Sequence, residues 1–201
     1  MDIHQPKHPK TNHYLNSGLF DDLKSFNQLE SLIQNLPTNQ DKGDALEVFA
    51  EAYLAVQKQF QVQNIWSFEN VPLSIRQELH LPNQDMGIDG VYQDIQQNLC
   101  AYQVKFRSDR SSLNWANELS QFMGLSDFAY QKVLFTNSDS LPKLMQDRNL
   151  SVSAPVTCGT CLIKACGLAI CIRDDKETSV IVTGNIDLIF PVIIHVRSRS
   201  V

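Results

Sequence analysis

The stretch GIDGVYQDIQQNLCAYQVKFR, residues 87–107, decides how this chain is read. Two β-branched and aromatic runs, Gly87–Tyr92 and Leu99–Arg107, flank the short polar segment QDIQQN, the pattern of an antiparallel hairpin. Side chains alternate across a strand. In the second run Tyr102, Val104 and Phe106 therefore belong to an apolar, core-facing side, while Ala101, Gln103, Lys105 and Arg107 share the other. Asp89, on the first run, can be carried by the hairpin to lie beside Gln103 and Lys105.

Outward from the hairpin, the apolar period is helical. Leu19, Leu23, Phe26, Leu29, Leu32, Ile33 and Leu36 predict an amphipathic helix over about 19–35. Leu46, Phe49, Ala50, Tyr53 and Leu54 predict a second, capped by Asp41 or Asp44 and running to about Lys58. Val62–Trp66 reads as a short strand and Pro72–Leu81 as a helical turn. A helix is expected from Ser111 or Ser112 to about Leu125, a buried strand at Lys132–Thr136, and a short helix at Leu141–Asp147. This order describes an α/β domain over about 17–150, a mixed central β-sheet flanked by α-helices. Residues 1–16 read as a flexible lead in which His4, His8 and His13 form no site. Residues 151–201 read as a β-rich or disordered tail, with a truncated or frameshifted end kept open.

Composition narrows the classes. The chain has 201 residues, 43% hydrophobic and 19% charged, with 17 Lys+Arg against 22 Asp+Glu and a formal charge of −5. These values fit a globular protein. They exclude a protein that coats DNA by charge alone, because nonspecific affinity comes mostly from neutralising phosphates. No apolar run is long enough for a membrane span. Four of the five cysteines crowd into Cys158–Cys171, a distribution unlike a secreted disulfide scaffold, so a cytoplasmic location is expected. Cys158, Cys161, Cys166 and Cys171 have a zinc-knuckle-like spacing, but the apolar residues between them favour cysteines packed as small hydrophobes.

The hairpin residues suggest a chemistry. Glu47 lies at the margin of the second helix's apolar face and can point to the sheet edge where Asp89, Gln103 and Lys105 meet. Hard divalent cations prefer oxygen ligands. Asp89 and Glu47, with the Gln103 side chain and the Val104 carbonyl, could hold Mg²⁺, or Mn²⁺, and so polarise a phosphodiester. Lys105 would orient the attacking water or offset charge on the phosphorane. Lys105, Arg107 and Arg110 form a basic stretch suited to DNA phosphates. Each feature also has a plainer reading: Asp89–Gly90 as a turn, Lys105 and Arg107 as a solvated strand face, Glu47 as an exposed helix acid. Trp66 and Trp115 read as packing residues.

Together Asp89, Gln103, Val104 and Lys105 resemble the PD-(D/E)xK nuclease motif in its D…QxK form, typical of Mrr-like restriction endonuclease domains. KGDALEVFAEAYL (42–54), containing Glu47, is similar to the first helix of that group. DMGIDGV, AYQVKFR, SLNWANELSQFMGLSD and VLFTNS are similar to its later segments. The resemblance spans about residues 17–148. It implies a restriction-endonuclease-like fold and a Mg²⁺-dependent deoxyribonuclease of restriction or defence type. It also implies double-stranded DNA as substrate, a helicase subunit or a missing helicase domain as partner, and a homodimer for double-strand cleavage. Gln103 stands where the family usually has an acid. That departure leaves open an inactive DNA- or partner-binding remnant of the same fold.

Overall fold

The computed structural model describes residues 6–23, 25–57, 60–138, 150–152, 167–174, 177–184 and 192–197, with side chains described as far as Ser138. The expected helix at Leu141–Asp147 lies outside these residues, as do Cys158, Cys161 and Cys166 of the cysteine cluster.

Three helices precede the sheet: α1 (Thr11–Asn16), α2 (Phe26–Gln34) and α3 (Asn39–Val56). Residues 6–16, expected as a flexible lead, instead form an ordered approach to α1, with Tyr14 fully buried and its hydroxyl donating to the Asp41 carbonyl at 2.9 Å. The helix expected over 19–35 begins only at Phe26. Gly18 and Asp22 both take positive φ, 71° and 52°, which no right-handed helix accommodates. Ser25 then caps α2 by accepting from the Gln28 N–H. Thr38, rather than Asp41 or Asp44, caps α3. Its Oγ1 accepts from the Asp41 N–H at 3.0 Å and donates to the Asp41 carboxylate at 2.6 Å.

The sheet follows as β1 (Val62–Ser67), β2 (Gly90–Asp94), β3 (Leu99–Lys105) and β4 (Gln131–Thr136), with α4 (Leu73–Glu78) between β1 and β2. β1, β2 and β3 are antiparallel neighbours, and β4 pairs with β3 in parallel. A parallel pair needs a crossover. Here it contains a π-helical turn (Trp115–Leu119) and α5 (Ser120–Leu125), so the single helix expected from Ser111 is shorter and irregular at its start. Beyond β4 the backbone adds β5 (Leu150–Val152), β6 (Gly167–Asp174), β7 (Glu177–Gly184) and β8 (Val192–Arg197), giving the strand order β1-β2-β3-β4-β8-β7-β6-β5.

Both faces of β3 are covered, and this sets the site. Tyr102 and Val104 pack with Leu46, Ala50 and Leu54 of α3, and with Phe135 of β4, as the alternation predicts. Leu99 and Ala101 belong to a second cluster on the other face, with Phe68, Leu79, Val91 and Phe122. The result is the three-layer, mixed-sheet α/β architecture expected of a restriction-endonuclease-like fold. Burying a large apolar side chain stabilises by roughly 1.5–3 kcal/mol. These two clusters therefore hold the strand ends in place beneath the acidic residues described next.

Candidate active site

Asp89 sits immediately before β2, not inside it. Its backbone is fixed on both sides: its N–H donates to the Tyr102 carbonyl at 3.1 Å, and its carbonyl accepts from the Phe68 N–H at 2.8 Å. Its carboxylate accepts from the Val104 N–H at 2.5 Å. Asp89 thus brackets Gln103, bonding to the residue before it and the residue after it on β3.

The carboxyl of Asp89 is held well above the usual carboxylate range. Loss of water is the largest cause, followed by the charge of Glu47; the Lys105 ammonium and the Val104 N–H act the other way, and Asp85 adds to the rise. Asp89 keeps some accessible surface, but the protein packed round its carboxyl still disfavours the ionised form. The charges of Glu47 and Lys105 therefore both act on the Asp89 carboxyl.

Gln103 is 1% exposed. Gly87 lies against it. A Cβ at position 87 would stand 3.1 Å from Gln103 Nε2, and Gly87 has φ 104°, so the approach depends on glycine. Among the described residues Gln103 Oε1 has no hydrogen-bond donor. A buried acceptor without a donor is costly unless something else satisfies it. Oxygen donors from Asp89, Glu47 and Gln103 fit a hard divalent cation.

The basic stretch is tied into the fold. Arg107 pairs with Glu118, and its N–H donates to Asn137 Oδ1 at 2.6 Å. Arg110 donates Nε to Glu30 Oε1 at 2.8 Å and also pairs through Nη2 with Glu30 Oε2; Asn137 Nδ2 donates to the same Glu30. Among the described residues Lys105 has no hydrogen-bond partner of this kind, and its charge acts on Asp89 and Glu118.

Asp44, Glu51 and His8 lie near the site and have no site role in the sequence reading. Asp44, Glu47 and Glu51 are three and four residues apart, so they form one stripe along α3. That spacing was the available signal, but nothing in it shows that Asp44 and Glu51 are buried. Burial, opposed by bonds from the Lys7 and His8 N–H groups, raises the pKa of Glu51. His8 lies in a stretch without periodicity, yet its Nε2 is 3.2 Å from Glu47 Oε2. Among the described residues His8, Asp44 and Glu47 offer ligand atoms within 4.8 Å of one another. Burial works against the His8 imidazolium, but the Glu47 bond and the charges of Glu47, Asp44 and Glu51 prevail and raise its pKa. Tyr102 lies below this group, and its hydroxyl is pushed far above its ordinary range by burial and by Glu51, Asp89 and Glu47.

No described helix is long and apolar enough to cross a membrane. A family model described as a restriction endonuclease, of the Mrr catalytic group, matches residues 54–148. The match covers β1 to β4 with Asp89, Gln103 and Lys105, and begins after Glu47. No curated protein and no solved structure matches the chain. With the mixed sheet and the ordered D…QxK residues, that match shows residues 54–148 to be similar to a restriction endonuclease domain, consistent with the Mrr-like, PD-(D/E)xK type.

Proposed function

We propose that the chain is a metal-dependent DNA endonuclease that hydrolyses phosphodiester bonds of double-stranded DNA in a restriction or defence setting. The observation that carries this reading is the enclosed Asp89 carboxylate, bonded to the Val104 N–H and acted on by both Glu47 and Lys105. Asp89 and Glu47 would hold Mg²⁺ or Mn²⁺, with Gln103 Oε1 and the Val104 carbonyl as neutral ligands. Bound there, the ion supplies Lewis-acid polarisation of the phosphate and a more acidic water. Lys105 orients the water and offsets the extra negative charge as the new P–O bond forms and the bond to the leaving sugar oxygen breaks.

In this reading Lys105 contacts the scissile phosphate itself. Phosphate contact by Arg107 and Arg110 requires each guanidinium to share or break its pair with Glu118 or Glu30, so their share of DNA affinity is smaller than the bare charge count suggests. A single site cuts one strand at a time, so double-strand cleavage calls for two protomers. A helicase, as a subunit or a further domain, would deliver the DNA.

The test is plasmid cleavage with Mg²⁺ or Mn²⁺. Chelation is expected to stop cutting, and Lys105→Ala to slow it by roughly a hundredfold or more. Cutting by folded protein that survives both chelation and the Lys105 change would overturn the assignment. The replacement of an acid by Gln103 favours one second reading, a binding remnant. Calorimetry showing no uptake of Mg²⁺ or Mn²⁺, with or without DNA, would support that reading instead.

A further inference from the structure

The segment Lys7–Lys10 is strapped across α3 at several independent points. The Lys7 and His8 N–H groups donate to the two oxygens of Glu51, at 2.6 and 3.1 Å. The Lys7 carbonyl accepts from Asn70 Nδ2 at 2.9 Å, and the Lys7 ammonium stands 6.0 Å from the centre of the Trp66 ring. Glu51 is 1% exposed, so the strap supplies donors that a buried carboxylate needs. Once seated, the strap carries the His8 ring to Glu47, 3.2 Å away. The strap lies outside residues 54–148 and is a feature of this chain beyond the matched domain.

The hydrogen on His8 Nε2 follows from the other side of the ring. The Lys10 N–H donates to Nδ1 at 3.2 Å. A neutral imidazole that accepts at Nδ1 carries its hydrogen on Nε2; an imidazolium gives up the Lys10 bond and carries hydrogens on both nitrogens. In either state Nε2 donates to Glu47 Oε2 and has no lone pair for an ion. This argues against the His8, Asp44 and Glu47 trio as a separate metal centre.

We infer that His8 is a positioning residue for Glu47: its Nε2–H anchors one carboxylate oxygen and leaves the other to face Asp89 and the cation. The inference rests on the proposed metal-dependent nuclease, in which Glu47 is a ligand. Hydrogen-bonded neighbours of metal ligands typically contribute ten- to a hundredfold in metal affinity.

The experiment is calorimetric Mn²⁺ titration of the full chain, with electron spin-echo spectra of the bound Mn²⁺. His8→Ala removes the donor; His8→Gln replaces it with an amide N–H₂ on a side chain of similar reach. His8→Ala is expected to weaken Mn²⁺ binding roughly tenfold or more, and His8→Gln to recover most of the loss. The wild-type spectrum is expected to show no histidine nitrogen coupling. Unchanged affinity in His8→Ala, or equal losses in both variants, overturns the positioning role while leaving the metal site standing. Nitrogen coupling that disappears in His8→Ala also overturns it, because His8 would then be a ligand. Failure of the wild-type chain to bind Mn²⁺ at all removes the proposed metal site and this inference with it.

Discussion

Asp89→Asn is expected to abolish cleavage and, in the metal-free protein at neutral pH, to raise the melting temperature. The two effects have one origin. Ionised Asp89 is surrounded by protein that disfavours its charge, with Glu47 adding repulsion, and Lys105 and the Val104 N–H offset these only in part. Its folded pKa therefore lies above its unfolded value. Between those two values the folded chain binds a proton that the unfolded chain lacks, so stability falls as pH rises through the window, and the full penalty is present above it. Asparagine keeps an acceptor for the Val104 N–H and carries no charge. A gain of about 1 kcal/mol, or ~2–4 °C for a chain of this size, is expected near neutrality, narrowing as the medium is acidified. Cleavage is expected to drop by about 10³ or more, because several kcal/mol of transition-state stabilisation depend on the anchored cation. Mn²⁺ should raise the melting temperature of the wild type and leave that of the variant unchanged. Scanning calorimetry across pH, beside plasmid cleavage, checks both halves. A variant less stable than wild type at neutral pH would show that Asp89 is held by favourable bonds that outweigh its desolvation.

Gly90→Ala is expected to have the largest effect on folding. A Cβ there would stand 2.2 Å from Tyr102 Oη and 2.3 Å from the Trp66 carbonyl oxygen. Neither neighbour can simply yield. Tyr102 is buried with its hydroxyl donating to that same carbonyl at 3.3 Å, and Trp66 is paired with Val91 in the β1–β2 ladder. Overpacking of this kind typically costs 1–3 kcal/mol, and here a backbone oxygen must move as well, so a loss of about 3 kcal/mol or more is expected. Thermal unfolding should show a fall of roughly 10 °C. Adding Tyr102→Phe removes the hydroxyl contact but leaves both the ring carbon Cζ and the Trp66 carbonyl at 2.3 Å, so it should restore only a small part of the loss. Full rescue would assign the strain to the hydroxyl alone, and no loss in Gly90→Ala would contradict the packing described. Gly90 is next to Asp89. The close approach of β2 to Tyr102 and Trp66 therefore also sets where the carboxylate meets β3.

The hairpin was legible because strand alternation is a local property. Tyr102 and Val104 had to face a core, and Asp89, within the first strand run, had to fall near Gln103 and Lys105 if the two runs paired. Glu47 was legible for the same kind of reason: its place on the helical wheel puts it at the rim of a buried stripe. The break at Gly18 and Asp22 was not, because Leu19 and Leu23 keep the helical spacing through a segment whose backbone reverses.

The sequence by itself determined the elements that carry Asp89, Glu47, Gln103 and Lys105, since period, turn and capping depend on residues a few positions apart. Tertiary structure alone decided their surroundings. It buried Gln103 beneath Gly87 and paired Arg107 and Arg110 with acids 11 and 80 residues away. It also brought His8, from a stretch with no pattern, onto Glu47. Such partners are chosen by which surfaces meet when helices close over both faces of a sheet, and a local pattern carries no record of that meeting.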